Sequence, residues 1–93
     1  MTQLLESNEI QTKLKQLADW QLEGKKIKRT FELKDFVSAI DFVNKLVEPA
    51  EAAGHHPDLE ISYNKVTVSM TSHDAGGLTE QDFEMAQKIS KLA

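Results

Sequence analysis

The chain has 93 residues, 40% of them hydrophobic and 28% charged, with 15 acidic side chains against 11 basic ones and a formal net charge of −4. That suffices for one domain over residues 1–93 with a modest core, since a chain this short buries only ~60% of the surface it exposes when unfolded. Cysteine is absent, which excludes disulfide staples, thiolate nucleophiles and cysteine-held metals, and the acidic balance argues against nucleic acid as a partner, because that affinity rests on neutralising phosphates.

The opening MTQLLESNEI has no basic region followed by an apolar run, so it does not read as a signal peptide. No apolar stretch approaches the ~18 residues that a membrane span needs. The expected setting is the cytoplasm, with no membrane partner. Ser7 is placed to cap a first helix, along which Ile10, Leu14 and Leu17 recur at helical spacing. Trp20-Gln21-Leu22-Glu23 then alternates apolar with polar, and Gly24-Lys25 supplies a tight turn. Ile27, Arg29, Phe31 and Leu33 share one strand parity against Lys26, Lys28, Thr30 and Glu32, so the pair reads as a hairpin. Its basic run, Lys25-Lys26-Ile27-Lys28-Arg29, is read as a solvated strand face ahead of a nucleic-acid or anion patch.

From Asp35, a candidate N-cap, the period changes to that of a helix. Phe36, Ile40, Val43 and Val47, with Ala39 and Leu46 beside them, form a broad apolar stripe. Pro49 should kink or interrupt this helix, because its ring meets the carbonyl four residues back. A short turn from Ala50 to Ala53 should then end at Gly54, a favourable C-terminal residue. Leu59, Ile61 and Tyr63 alternate, Asn64-Lys65 is the expected turn, and Val66, Val68 and Met70 alternate again as a second hairpin. Thr71 to Gly77 is turn-rich, and Thr79 begins a last helix with Met85, Ala86, Ile89 and Leu92 on its apolar side. The order α-β-β-α-β-β-α predicts an α+β fold, a four-stranded antiparallel sheet with three helices packed on one face.

All three histidines, His55, His56 and His73, fall within 19 residues. Imidazole gives and takes protons near neutral pH more readily than any other side chain. Glu51 lies four residues before His55, so the two would share a face if the helical turn persists. Blander readings stand beside this one. A His-His pair after a helix suits the negative helix end, His73-Asp74 fits a solvated loop, and Asp82 fits a capping box with Thr79. Gly76-Gly77 has no phosphate-binding fingerprint around it. Three histidines could also hold zinc with water in the fourth position. Neighbours in an extended chain point apart, however, so His55 and His56 do not converge easily on one ion. No metal site is assigned.

The combined spacing is more specific than any single residue. Glu51, three residues, His55-His56-Pro57, five residues, Tyr63, nine residues, His73, eight residues, Asp82 resembles the signature of the pterin-4a-carbinolamine dehydratases. The Gly76-to-Asp82 stretch GGLTEQD, the Trp20 hairpin, the Phe36 helix and the Tyr63-to-Val66 turn resemble that family too, so the likeness covers nearly the whole chain.

The resemblance implies the same four-stranded sheet with three helices on one face. It implies dehydration of a 4a-hydroxytetrahydropterin to quinonoid dihydropterin and water, the 4a-hydroxytetrahydrobiopterin dehydratase step of tetrahydrobiopterin recycling, with no metal and no bound cofactor. By the same similarity, His55 and His56 are the acid–base pair, His73 contacts the pterin and assists, and Glu51 supports the first histidine. Pro57 and Ser72-His73-Asp74 resemble the pocket wall, and Asp82 is mainly structural. Pro49 departs from the family pattern and puts the place of Glu51 in question. Family members self-associate, so a homo-oligomer (dimer or tetramer) is expected, with Val37 and Phe42 of the Phe36 helix as candidate interface residues. Members in animals also stabilise dimers of a transcription factor, which makes protein binding a second function to weigh. A third is action on another pterin, such as a molybdopterin-pathway intermediate.

Overall fold

Glu6, rather than Ser7, opens the first helix, α1 (Ser7–Leu14), in a structure that is a computed structural model describing residues 3–93. The residue three positions on decides the matter. Glu9 reaches back to accept from the Glu6 N–H at 3.0 Å, completing a capping box. A helix capped at Ser7 would have Ile10 in that place, with nothing to return. Leu5, Ile10 and Leu14 lean against the core.

The first hairpin pairs β1 (Gln21–Glu23) with β2 (Lys26–Glu32) through Gly24, whose φ of +62° suits a residue without Cβ. The stripe that begins at Phe36 forms α2 (Phe36–Lys45) and α3 (Val47–Ala53). Pro49 has no N–H to offer the Lys45 carbonyl and its ring crowds that atom. The break therefore falls at Leu46, and the second segment starts at Val47 instead of Ala50 because proline is tolerated in a first helical turn.

Asp35 caps α2, accepting from the Ser38 N–H at 2.8 Å. Bonds from the Ser38 backbone, and then from its side chain, hold the Asp35 carboxyl below the usual aspartate range. A folded-state pKa below the unfolded one gives stability that is present above the unfolded pKa and lost as pH falls through the folded one. Asp35→Ala is accordingly expected to melt at a lower temperature than the wild type at pH 7, with the gap narrowing as the pH is taken below the carboxylate range. Melting curves at both pH values check this, and a gap that persists in acid would remove the charged cap as its cause.

The second hairpin joins β3 (Asp58–Ser62) to β4 (Lys65–Met70). Its turn is Tyr63-Asn64, one residue earlier than the pattern suggested, with Tyr63 at φ 53°. Asn64 fixes the turn in place, because its side-chain amide and its backbone carbonyl both bond to Leu33, at 2.9 and 2.8 Å. The sheet order is β1-β2-β4-β3, antiparallel throughout. The last helix is α4 (Glu80–Leu92).

Register explains which face is covered. Ile27 faces Met70 and Phe31 faces Val66, so these buried side chains share one side of the sheet. They join Ala39, Phe42 and Leu46 of the α2 region and Phe83, Met85, Ala86 and Ile89 of α4 in a single core. The order α-β-β-α-β-β-α is realised, with the central helix in two pieces. Leu59 and Ile61 share the covered side, being paired with Val68 and Val66. They nonetheless stay exposed, because β3 is an edge strand that the helices do not reach.

Candidate functional site

The helix end at Gly54 sets the direction of both adjacent histidines. Gly54 takes φ +61°, its N–H donates to the Glu51 carbonyl at 3.3 Å, and the His55 N–H donates to the Ala50 carbonyl at 3.1 Å. These two bonds make a Schellman motif. Beyond it the helical face no longer continues, so the four-residue spacing from Glu51 to His55 does not set the two side chains together.

His55 turns inward instead. Its side chain is only 12% exposed, and Nε2 lies 2.6 Å from Oδ1 of Asp82, which is fully buried. The other carboxylate oxygen, Oδ2, accepts from the Thr79 N–H at 2.9 Å and from the Ser72 hydroxyl at 3.0 Å. Ser72 Oγ also bonds Thr79 Oγ1 at 2.8 Å. Asp82 is the third residue of α4 and completes its capping box, where a negative charge is favoured by the helix dipole. One carboxylate thus closes the start of α4, the 71–77 loop and the end of α3 together. A carboxylate bonded to one imidazole nitrogen fixes which nitrogen carries the proton and makes the other a better base.

His56 turns outward, with its side chain 60% exposed, and its Nε2 lies 2.5 Å from Glu51 Oε2. Glu51 therefore partners the second histidine, where sequence spacing assigned it to the first. The antiparallel pairing of Asp58 with Ser69 brings residues 55–58 alongside the end of β4 and the loop carrying His73. There His73, 80% exposed, has Nε2 3.7 Å from Asp58 Oδ2. Asp58 escaped the sequence reading, although an acid directly after His-His-Pro was a signal for it. Each of the three imidazoles has its own carboxylate, one buried and two in solvent.

The remaining candidates divide between framework and surface. Ser72 is buried, with its hydroxyl engaged as above and its N–H donating to the Gly77 carbonyl at 3.0 Å, so it builds the loop. Pro57 is half-buried and Asp74 exposed. A cavity of about 400 Å³ opens beside His73, walled also by Glu23, Lys25, Lys26, Thr71, Gly76 and Gly77, within the usual size of small-molecule sites. A larger one of about 560 Å³, between the α2–α3 junction and the end of α4, carries no histidine. Among the described residues no group of three acidic or histidine side chains could hold a metal ion, and no helix is long and apolar enough to cross a membrane.

Residues 3–92 match the family model described as pterin 4 alpha carbinolamine dehydratase. A protein of Cyanothece sp. strain PCC 7425, provisionally named a pterin-4-alpha-carbinolamine dehydratase, is 61% identical over the whole chain and 96% of its own length. One of Koribacter versatilis, of the same provisional name, is 47% identical over 99% of this chain and 98% of its own. In three dimensions the chain is similar to a crystal structure of a transcriptional coactivator/pterin dehydratase from Brucella melitensis. The TM-score is 0.91 at 36% identity, covering 96% of this chain and 97% of that one.

Proposed function

The chain belongs to the pterin 4 alpha carbinolamine dehydratase family, and from that premise we propose that it dehydrates a 4a-hydroxytetrahydropterin, in the cytoplasm, by histidine acid–base catalysis. The observation that carries this reading is the buried contact between His55 and Asp82. A half-buried imidazole held by a fully buried carboxylate is costly to maintain for packing alone, since both groups lose water on folding. The reaction asks for two proton transfers and no electrons. One proton goes to the 4a-hydroxyl as the C4a–O bond breaks and water leaves. Another comes off the adjacent ring nitrogen, whose lone pair forms the C=N bond of the quinonoid dihydropterin. His55 and His56 are proposed as the acid–base pair, a role that typically contributes ~10²–10⁴-fold.

Asp82 acts in this scheme through His55 as a positioning residue, Glu51 does the same for His56, and His73 contacts the pterin from the cavity rim. Pro57 and Asp74 flank the site, and Ser72 holds its floor. Recycling of tetrahydrobiopterin is the proposed context. The test is to generate a 4a-hydroxytetrahydropterin and follow its absorbance decay with and without wild-type protein. Acceleration over buffer is expected, and decay at the buffer rate would sink the reading.

A second role, self-association and protein binding, has an observation of its own. Phe36, Val37 and Val47 lie exposed along α2 and α3, and Val37 is 67% exposed. Phe42, the other interface candidate, is buried in the core and unavailable. The Brucella relative's description as a coactivator points the same way. A homo-oligomer, dimer or tetramer, built on the exposed side of this helix is proposed. Val37→Glu should then lower the mass measured by light scattering, at unchanged helical content. An unaltered mass would place the interface elsewhere.

A further inference from the structure

The cavity beside His73 lies between the β1–β2 turn and the 71–77 loop, and its walls differ in character. One side is the Thr71, His73, Gly76 and Gly77 stretch, and the other is Glu23, Lys25 and Lys26. Among the described residues neither Lys25 nor Lys26 has an ion-pair partner within 4 Å, while Lys28 Nζ sits 3.2 Å from Glu23 Oε2. The wall's single acid is thus already matched, and two lysines of that wall are left without an acidic partner in a protein whose net charge is −4.

The wall is also held in shape. The Thr71 hydroxyl donates to the Lys25 carbonyl at 2.6 Å, latching the turn to the end of β4. Gly76 has φ +82° and open space where a Cβ would stand, so no side chain fills the cavity from that side. The N–H groups of Gly76 and Gly77 are both spent on the Ser72 carbonyl, at 3.0 and 3.3 Å. Recognition of an anion here falls to the lysines and not to backbone amides.

We infer that this cavity receives the substituent on the pterin ring and selects one that ends in an anion, a phosphate ester being the class that two adjacent lysines suit best. The inference rests on the proposed pterin site, since it is His73 at the rim that joins ring to cavity. A ring held at His73 would have this cavity beside it, so its substituent would meet the wall that carries Lys25 and Lys26. A neutral hydroxylated chain, as in tetrahydrobiopterin, would enter the same cavity but meet the two ammonium groups without charge, and so bind less tightly than a phosphorylated one.

The experiment is calorimetric binding of two stable 7,8-dihydropterins that differ only in one phosphate, one with a trihydroxypropyl side chain and one with that chain phosphorylated. Wild type should bind the phosphorylated compound about ten-fold more tightly, the scale of two partly exposed ion pairs. That advantage should shrink in high salt. Lys25→Gln/Lys26→Gln should bring the two affinities together, and if the double variant fails to fold, each single substitution should remove about three-fold of the advantage. Equal affinities in the wild type, or a preference that survives the double substitution, would overturn the inference while leaving the dehydratase reading intact. Binding of neither compound, with no acceleration of carbinolamine decay, would overturn the pterin site and this inference with it.

Discussion

Asp82→Ala is expected to lower the folding free energy by about 3 kcal/mol, the scale for removing one partner of a buried, hydrogen-bonded charge cluster. For a domain of this size that corresponds to a melting temperature lower by roughly 10 °C or more. The reason is the number of groups the carboxylate serves. Asp82 is fully buried and meets His55 Nε2, the Thr79 N–H and the Ser72 hydroxyl. Removing it leaves the Thr79 N–H and His55 Nε2 facing a cavity without their acceptor, while the Ser72 hydroxyl keeps only Thr79 Oγ1, and a buried polar group without a partner costs about 1–3 kcal/mol. Asp82→Asn separates structure from chemistry. An asparagine can still accept from the Thr79 N–H, so most of the stability should return, but its NH₂ can face His55 only if Nε2 becomes an acceptor. That reverses the proton placement the carboxylate imposed. The expected signature is a kcat that falls while KM and the melting temperature stay near wild type. Equal losses of stability in the two variants, with kcat unaffected by asparagine, would make Asp82 a helix cap and nothing more.

The same network shows where the sequence was readable and where it was not. Periodicity is a local property, and it yielded the αββαββα order because the covered face carries mostly apolar residues at alternate positions, as Ile27, Phe31, Val66 and Val68 show, with Arg29 the exception on β2. Asp35 and Gly54 act as caps from their own chemistry, so they too were legible. Two of the misplacements involve a second residue that competes. Ser7 is a good cap in isolation but loses to the reciprocal pair Glu6 and Glu9. Asn64-Lys65 resembles a turn until Lys65 is claimed by pairing with Ser62. Partner choice at the histidines was harder still, because Glu51 and Asp82 are both carboxylates within reach. The bend at Gly54 decides between them by sending His55 inward and His56 outward. Asp58 meets His73 only through the β3–β4 register, which no spacing within either segment encodes. The likeness to a known family singled out the candidate residues, and the fold gives each of them its neighbours.

Those assignments rank the two adjacent histidines. His55→Ala is expected to lower kcat for carbinolamine dehydration by about 10²-fold or more, within the usual range for an acid–base group. Its imidazole is 12% exposed and held by a carboxylate that cannot move without breaking three contacts, so its place is set before substrate arrives. Preorganisation of this kind is where catalytic groups gain most of their effect. His56 and Glu51 are held by each other alone, in solvent, with side chains 60% and 69% exposed. An exposed pair of that sort is worth about 0–1 kcal/mol, so Glu51→Gln should lower kcat only about two- to five-fold by loosening His56. His56→Ala should fall between these two values if His56 supplies the second proton transfer. Kinetics on the three folded variants at one pH order them directly. A Glu51→Gln loss as large as that of His55→Ala would show that the exposed pair is fixed by bound substrate, and would shift the centre of the chemistry from the buried dyad to the surface one.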